Sequence, residues 1–239
     1  MTHKTKLAAL IAALTFAGTS PAAAQTQTPK PIFVDVNGGA QTQSRTLNTT
    51  TSFPLYGETA VINSAQGIDG GGLFDISGGY RVYRQLSVGV GFSAFSKTGS
   101  GTIAASIPNP AVINRPATST TSGTGLKHRE LGTHLLFMWT QPIRRNFEAA
   151  IFGGPSFIRL TQDVMTALVP AGTQTVNVTS ESQQATAKGG NVGVNLNYLV
   201  RPNYGAGVFI RYAGGTAKLA AGSAKVGGLQ LGGGLRLRF

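Results

Sequence analysis

The sequence contains no cysteine, which excludes disulfide bonds, thiol chemistry and every metal site built on thiolates. Charged residues are scarce as well, since Asp, Glu, Lys and Arg make up 12% of the 239 residues, about half the usual globular share. Beyond the N-terminal leader described below, no apolar run reaches the ~18 residues of a transmembrane helix. Few charges without long apolar runs indicate a protein of which part of the surface does not face water.

Acidic residues are the scarcer charge, with 8 Asp and Glu against 20 Lys and Arg. The basic residues are scattered and do not alternate with aromatic residues, so the sequence predicts no nucleic-acid partner. With the histidine of the leader removed, the mature chain keeps two histidines and has no cysteine, so we expect no transition-metal site. No cofactor motif is present either, because the glycine clusters precede no helix and end in no Lys-Ser/Thr pair.

The first 24 residues have the three parts of a secretory signal peptide. Lys4 and Lys6 form the positive region, residues 7–17 form a short apolar run, and Ala22 to Ala24 supply the small residues read by signal peptidase. We therefore expect residues 1–24 to be cleaved, residues 25–31 to be a short polar linker, and residues 32–239 to form one exported domain.

Period-two alternation of apolar and polar residues recurs along that domain and predicts β-strands. Eight segments show it: 33–45, 72–83, 86–96, 130–140, 147–160, 191–198, 205–212 and 225–239. The links between them alternate between long polar stretches (46–70, 98–127, 161–188 and 214–224) and tight turns (84–85, 142–146 and 201–203). Long and short links in alternation are typical of a meander that crosses a membrane. The predicted fold is all-β, an eight-stranded antiparallel up-and-down transmembrane β-barrel.

Seven charged residues of the strand segments, of both signs, fall on the polar face, and this decides which face is inside. A charge facing the bilayer midplane costs about 2–4 kcal/mol for Arg, whereas charges of both signs inside a lumen can pair. We therefore expect a polar lumen network of Asp35, Asp75, Arg81, Glu148, Arg211, Arg236 and Arg238. Aromatic residues next to the tight turns are expected to form an interfacial girdle of Tyr80, Trp139, Phe147 and Tyr198.

The chain ends in Leu235-Arg236-Leu237-Arg238-Phe239, with apolar residues at alternate positions and a terminal aromatic. This ending, the leader and the alternating links together resemble the small Gram-negative outer-membrane β-barrel proteins of the OmpA-like and OmpX-like kind. The resemblance implies that Leu235, Leu237 and Phe239 form a signal read by the barrel assembly machinery. We also expect a monomer in the outer membrane, and the even number of strands returns both termini to one side, which we take to be the periplasm.

Three functions are compatible with such a barrel. The first is a structural, membrane-integrity or surface adhesion and recognition role through polar extracellular loops. The second is a narrow passive pore, and the third is a lipid A-modifying enzyme. We expect no enzymatic activity, because no His-x-Ser pair lies on one face of a strand as a deacylase would need.

Basic residues at the two ends of the predicted barrel are candidates for lipid contacts. Lys127 and Arg129 follow a long link and are expected at the outer rim, where they would meet lipopolysaccharide phosphates or remain solvated. The arginines at the tight turns are expected to contact phospholipid headgroups at the periplasmic rim. Outer-membrane lipids are thus the predicted partners.

Overall fold

The computed structural model describes residues 30–42, 44–170, 175–220 and 222–239. The predicted signal peptide, residues 1–24, and all but the last two residues of the predicted linker lie outside this range. The described residues contain ten strands and no helix long and apolar enough to cross a membrane. The strands are β1 (Ile32–Gln41), β2 (Arg45–Leu55), β3 (Glu58–Ile68), β4 (Gly71–Tyr83), β5 (Leu86–Ile107), β6 (Ala117–Arg144), β7 (Phe147–Leu168), β8 (Asn177–Arg201), β9 (Tyr204–Leu219) and β10 (Gly222–Arg238).

Eight of these strands form a closed antiparallel ring in the order β1, β4, β5, β6, β7, β8, β9, β10 and back to β1. The closing pair runs from Phe33 opposite Arg238 to Gln41 opposite Gln230. Backbone hydrogen bonds between Ile32 and Phe239 extend it to the last residue of the chain. The predicted eight-stranded up-and-down barrel is therefore confirmed, and β2 and β3 are additional to it.

The long links differ from the predicted polar loops, because most of their described residues are strand. Residues 46–70 contain the β2–β3 hairpin, and β3 pairs with the far part of β5, from Val61 opposite Ser106 to Gly67 opposite Ser100. The links after β5, β7 and β9 continue the strands of the barrel, and β5 and β6 stay paired as far as Ile107 and Ala117. Thr, Ser and Ala dominate these links, but their backbone groups find partners in neighbouring strands, so they extend the ladder.

An apolar belt surrounds the half of the barrel that carries the tight turns and both termini. Its side chains point outward, for example Val90, Phe137, Ile151, Val194, Ile210 and Leu235, which are between 37% and 62% exposed. On β6 the belt runs from Leu131 to Ile143. Apolar residues are this exposed on every strand of the ring, and they form a lipid-facing surface, because a water-soluble barrel turns its apolar side chains into its interior.

Beyond the belt, toward the long hairpins, the pattern reverses. On β5 the outward residues change from Val90 and Phe92 to Ser100 and Thr102, while the inward residues become apolar, as at Ile103. The inward residues of β7 change in the same way and become Ile158, Leu160 and Val164. Apolar side chains inside and polar side chains outside are the arrangement of a protein in water. The reversal therefore marks the plane where the membrane ends.

The part beyond that plane has a hydrophobic core of its own. One cluster includes Ile62, Ile103, Ile107, Leu126 and Met165, and Phe53 and Leu55 of β2 pack against it. A second cluster centres on Ile158, Leu160, Leu219 and Val226, and Leu47 of β2 packs on it. The β2–β3 hairpin thus contacts both clusters and covers the interior of the long-hairpin end.

Candidate functional site: the filled lumen

Two bidentate ion pairs lie inside the barrel at the tight-turn end, one between the neighbouring strands β1 and β10 and one between β10 and β7. Arg236 donates to Asp35 through Nε and Nη2, each at 2.6 Å, and both side chains are buried. Arg238 makes the same two-point contact with Glu148, with Nη1 2.9 Å from Oε1. Arg81 is half-buried on the inward face of β4, near enough to interact electrostatically with both arginines and Glu148. Bidentate geometry fixes the guanidinium planes and satisfies both carboxylates.

A layer of apolar side chains adjoins these ion pairs inside the barrel. Phe33, Leu136, Met138, Ala150 and Phe152 form one buried cluster inside the ring. The Phe33 ring also faces the Arg236 guanidinium, whose central carbon lies 4.8 Å from the ring centroid. The charged layer and the apolar layer are therefore in contact, and together they fill the lumen near the tight turns.

The third pair, Asp75 with Arg211, lies in the middle of the barrel. Arg211 Nη2 is 2.7 Å from Asp75 Oδ2, at an angle that makes an ion pair but not a hydrogen bond. Asn37 donates to the other oxygen of Asp75 at 3.3 Å. The pair borders a cavity of about 10 Å³ that Asn195 also lines, and Asn195 Oδ1 is buried without a hydrogen-bond partner among the described residues. This cavity has the size of one water molecule, and Asp75, Arg211 and Asn195 offer it polar partners.

A chain of side-chain hydrogen bonds crosses the lumen from this pair. Arg211 Nε donates to Gln230 Oε1 at 2.7 Å, and Gln230 Nε2 donates to Gln41 Oε1 at 2.8 Å. Gln41 Nε2 then donates to Glu130 Oε2 at 3.3 Å. Gln41 is on β1 and Glu130 is on β6, which are three strands apart in the eight-stranded ring. These hydrogen bonds, which we call the transverse hydrogen-bond chain, therefore span the lumen and obstruct it at a second level.

Glu130 is the carboxylate that ends this chain, just outside the apolar belt. His128 Nε2 donates to it at 2.9 Å, Arg45 of β2 forms an ion pair at 3.5 Å, and the Gly227 N–H donates at 2.9 Å. Burial alone would raise the pKa of Glu130, but the His128 hydrogen bond, the charges of His128 and Arg45, and the Gly227 N–H hold that pKa below its ordinary value. Glu130 therefore stays ionised and fastens the start of the β2–β3 hairpin to the barrel.

His134 is fully buried between two serines. Its Nε2 lies 2.9 Å from Ser93 Oγ and its Nδ1 lies 2.8 Å from Ser156 Oγ, and Asn191 donates to the same Ser156 oxygen at 2.9 Å. The hydrogen bonds of His134 in the described part of the chain go to no carboxylate, which a charge-oriented general base requires. Asn191 also donates to the carbonyl oxygens of Leu135 and Gly154, beside Pro155, which has no N–H for the ladder.

All seven residues of the predicted lumen network have inward side chains, and six of them form three separate ion pairs, while Arg81 lies near two of these. Asp75 binds Arg211, whereas Arg236 and Arg238 each take another carboxylate. Sequence analysis did not predict the transverse chain, because Gln41, Gln230 and Glu130 are far apart in sequence. The sequence did indicate that Gln41 points inward, because Gln41 alternates on the same face as Asp35, but it did not indicate which side chain Gln41 contacts.

The predicted girdle and C-terminal residues lie on the outer wall at the tight-turn end. Tyr80, Trp139, Phe147 and Tyr198 are between 39% and 53% exposed, and the Phe147 ring packs at a tilt against the Tyr198 ring, with centroids 4.9 Å apart. Leu235, Leu237 and Phe239 face outward and are 62%, 40% and 59% exposed.

At the other end of the barrel, Lys127 and Arg129 point outward, whereas His128 between them is buried. The described residues contain no group of three or more His, Asp or Glu side chains placed to hold a metal ion.

The comparisons with known proteins bear on the fold. No protein-family model matches the chain, and no curated protein matches it in sequence. Among solved structures, the outer membrane protein OprG from Pseudomonas aeruginosa is 10% identical, with a TM-score of 0.52 over 88% of this chain and 97% of OprG. The outer membrane protease OmpT from Escherichia coli is 11% identical, with a TM-score of 0.48 over 90% and 99% of the two chains. Neisserial surface protein A is 15% identical, with a TM-score of 0.43 over 87% and 97%. The likeness to OprG and the closed eight-stranded ring together show that the chain has the fold of the small outer-membrane β-barrel proteins of Gram-negative bacteria.

Proposed function

We propose that this protein is a non-conducting outer-membrane barrel with a structural and surface-presenting role. The observation that carries the proposal is the filled lumen, where the ion pairs, the apolar layer and the transverse hydrogen-bond chain follow one another along the axis. An eight-stranded barrel has an interior just wide enough for side chains to fill. Here the side chains fill it, and the three ion pairs neutralise the buried charges of Arg211, Arg236 and Arg238.

A passive pore is the weaker alternative because a water path has to break several of these contacts together. When one charge of a buried ion pair loses its partner, the other charge is left buried and uncompensated, and this costs about 3–5 kcal/mol. Two such pairs close the tight-turn end, and Asp75 with Arg211 closes the middle. A thermal opening that separates all three is therefore too rare to support a steady current.

The orientation follows from the lengths of the connections. In outer-membrane barrels short turns face the periplasm and long connections face the exterior. The hydrophobic core beyond the apolar belt then lies outside the cell, enclosed by strands with Thr and Ser on their outer faces. This arrangement holds a rigid β-structured surface away from the membrane, which suits a recognition or membrane-integrity role.

Delivery to this location follows the sequence signals. The predicted leader, residues 1–24, directs export, and Leu235, Leu237 and Phe239 present the alternate apolar residues proposed for recognition by the barrel assembly machinery. Phe239 also pairs with Ile32 in the strand that closes the ring. We propose that the assembled protein is a monomer, because all eight strands of the ring are paired within one chain.

Single-channel recording in planar bilayers tests the proposal. Insertion is verified first by heat-modifiable migration on a denaturing gel, and the wild-type protein is then expected to give no discrete conductance steps. A variant with Phe152→Ala, Arg211→Ala and Arg238→Ala thins three successive layers, and it serves as the control for the sensitivity of the assay. Regular conductance steps from inserted wild-type protein would show that the lumen is a pore.

A further inference from the structure

We propose that one side of the barrel carries a binding belt for the phosphate groups of lipopolysaccharide. The basic belt consists of six exposed, outward-facing residues on five consecutive strands: Lys127 and Arg129 on β6, Arg159 on β7, Lys188 on β8, Lys218 on β9 and Lys225 on β10. The inference rests on the proposed orientation, which places these residues at the outer leaflet.

The height of the basic belt is set by the apolar residues below it. Arg129 is the next outward residue after Leu131 on β6, and Arg159 is the next after Phe157 on β7. Two residues of a strand span about 7 Å. The polar headgroup region on each side of the hydrocarbon core is about 5–7 Å thick. Both guanidinium groups are therefore at the depth of lipid headgroups.

Strand register brings the cations together laterally. Thr216 of β9 lies opposite Lys188 on one side and opposite Lys225 on the other. Neighbouring strands are about 4.8 Å apart, so the two lysines flank Thr216 at a backbone separation of about 10 Å. Arg159 lies opposite Leu131, which places it diagonally beside Arg129. The cations are thus spaced closely enough for one multiply phosphorylated headgroup to contact two of them.

The basic belt covers one side of the barrel. The outward residues of β5 at the corresponding height are Ser96, Thr98 and Ser100, which carry no charge. The outward residues that end β1 and begin β4 in the described chain, such as Gly38 and Gly72, are uncharged too. A ring that only anchored the protein in anionic lipid would carry cations on all sides, whereas this distribution favours binding at one face.

The basic belt has little internal charge compensation. None of its six side chains makes an ion pair in the part of the chain that the structure describes. The carboxylate of Asp163 accepts the backbone N–H of Lys127 at 2.9 Å, and Arg159 donates to the neutral Gln184 at 2.7 Å. Like charges in a row repel one another, so a polyanionic partner lowers the free energy of this surface.

Matched charge removals test the proposal. The belt variant carries Arg129→Gln, Arg159→Gln, Lys188→Gln and Lys225→Gln. The control variant carries Arg84→Gln, Arg144→Gln, Arg145→Gln and Arg201→Gln, which removes four exposed positive charges at the tight-turn end. Heat-modifiable migration verifies that both variants are folded. Binding of purified lipopolysaccharide is then measured in detergent, beside the same material after chemical dephosphorylation.

The wild-type and control proteins are expected to bind the phosphorylated form at least tenfold more tightly than the dephosphorylated form, and the belt variant is expected to lose this preference. Each basic residue near an anionic lipid surface is worth about fivefold in affinity. Equal preference in the belt and control variants would overturn the proposal. It would also be overturned if the belt variant lost binding of a soluble sulfated polysaccharide while it kept lipopolysaccharide binding.

These results are separate from those that test the proposed function. A wild-type barrel that conducts but discriminates phosphate through the basic belt contradicts only the closed lumen. A silent barrel without phosphate discrimination contradicts only the basic belt.

Discussion

The ion pair of Asp35 and Arg236 allows a quantitative test of how the lumen is held together. Both side chains are buried, 4% and 2% exposed, and two hydrogen bonds of 2.6 Å join them. Asp35→Asn keeps the shape of the side chain but removes its charge, which leaves a buried guanidinium without a carboxylate. Such a loss costs about 3–5 kcal/mol. The contact of Arg236 with the Phe33 ring is present in the wild type as well, so it does not compensate for the lost carboxylate.

We therefore expect Asp35→Asn to lower the free energy of unfolding by about 3 kcal/mol, roughly a hundredfold in the unfolding equilibrium. Arg236→Met removes the other charge. The double variant should cost less than either single change, because it leaves no buried charge unpaired. The double-mutant cycle then isolates the coupling between the two side chains.

Urea unfolding in lipid vesicles provides the measurement. Trp139, the single tryptophan of the sequence, is 45% exposed on the lipid-facing wall, so its fluorescence reports its transfer to water. Asp69→Asn makes the same chemical change at an exposed position and serves as the control. The reasoning fails if Asp35→Asn stays within about 1 kcal/mol of the wild type, or if the two single effects simply add.

Three further predictions concern other parts of the molecule. Val90→Arg faces lipid and should cost about 2–4 kcal/mol in urea unfolding, whereas Thr102→Arg on the same strand should cost less than about 0.5 kcal/mol; equal costs would contradict the reversal of polarity along β5. Burial would raise the pKa of Glu130, but its partners hold that pKa below the ordinary 4.5, so its stabilising effect is complete above pH 4.5 and is lost as the pH falls through the lowered value. The wild type should therefore lose its advantage over Glu130→Gln in acid, as urea midpoints measured against pH will show, and a constant difference would argue against this role. Gly227 has φ +81° and a Cβ there would lie 2.0 Å from a backbone oxygen, whereas one at Gly38 meets nothing within 4 Å; Gly227→Ala should lower the gel-shift melting temperature and Gly38→Ala should not.

The alternation of the sequence was sufficient for the central barrel. Each predicted strand segment overlaps one strand of the ring. The charged residues assigned to the polar face point inward, as Asp35 and Arg236 do. This worked because the period of a strand is two, so one phase assigns every side chain of a segment to a face. The high cost of lipid-facing charge then selected the phase.

The prediction that the long links are polar loops was wrong, because a period of two also occurs in strands that have left the membrane. Residues 101–107 alternate too, but there the apolar residues Ile103 and Ile107 point inward and the polar residues outward. A strand that leaves the membrane keeps its period and reverses its polarity. Composition alone, rich in Thr, Ser and Ala, does not distinguish such a strand from a loop.

What the sequence by itself determined is the direction of each side chain in the membrane-spanning ring, because direction depends only on local period and on the cost of charge in lipid. What only the tertiary structure decided is which side chains meet. Gln41 and Glu130 are separated by 89 residues, and Asp35 and Arg236 by 201. Their contacts depend on ring closure and register, and so does the place of the β2–β3 hairpin over the interior core. Pairing across a closed barrel is a property of the whole ring, and no local pattern encodes it.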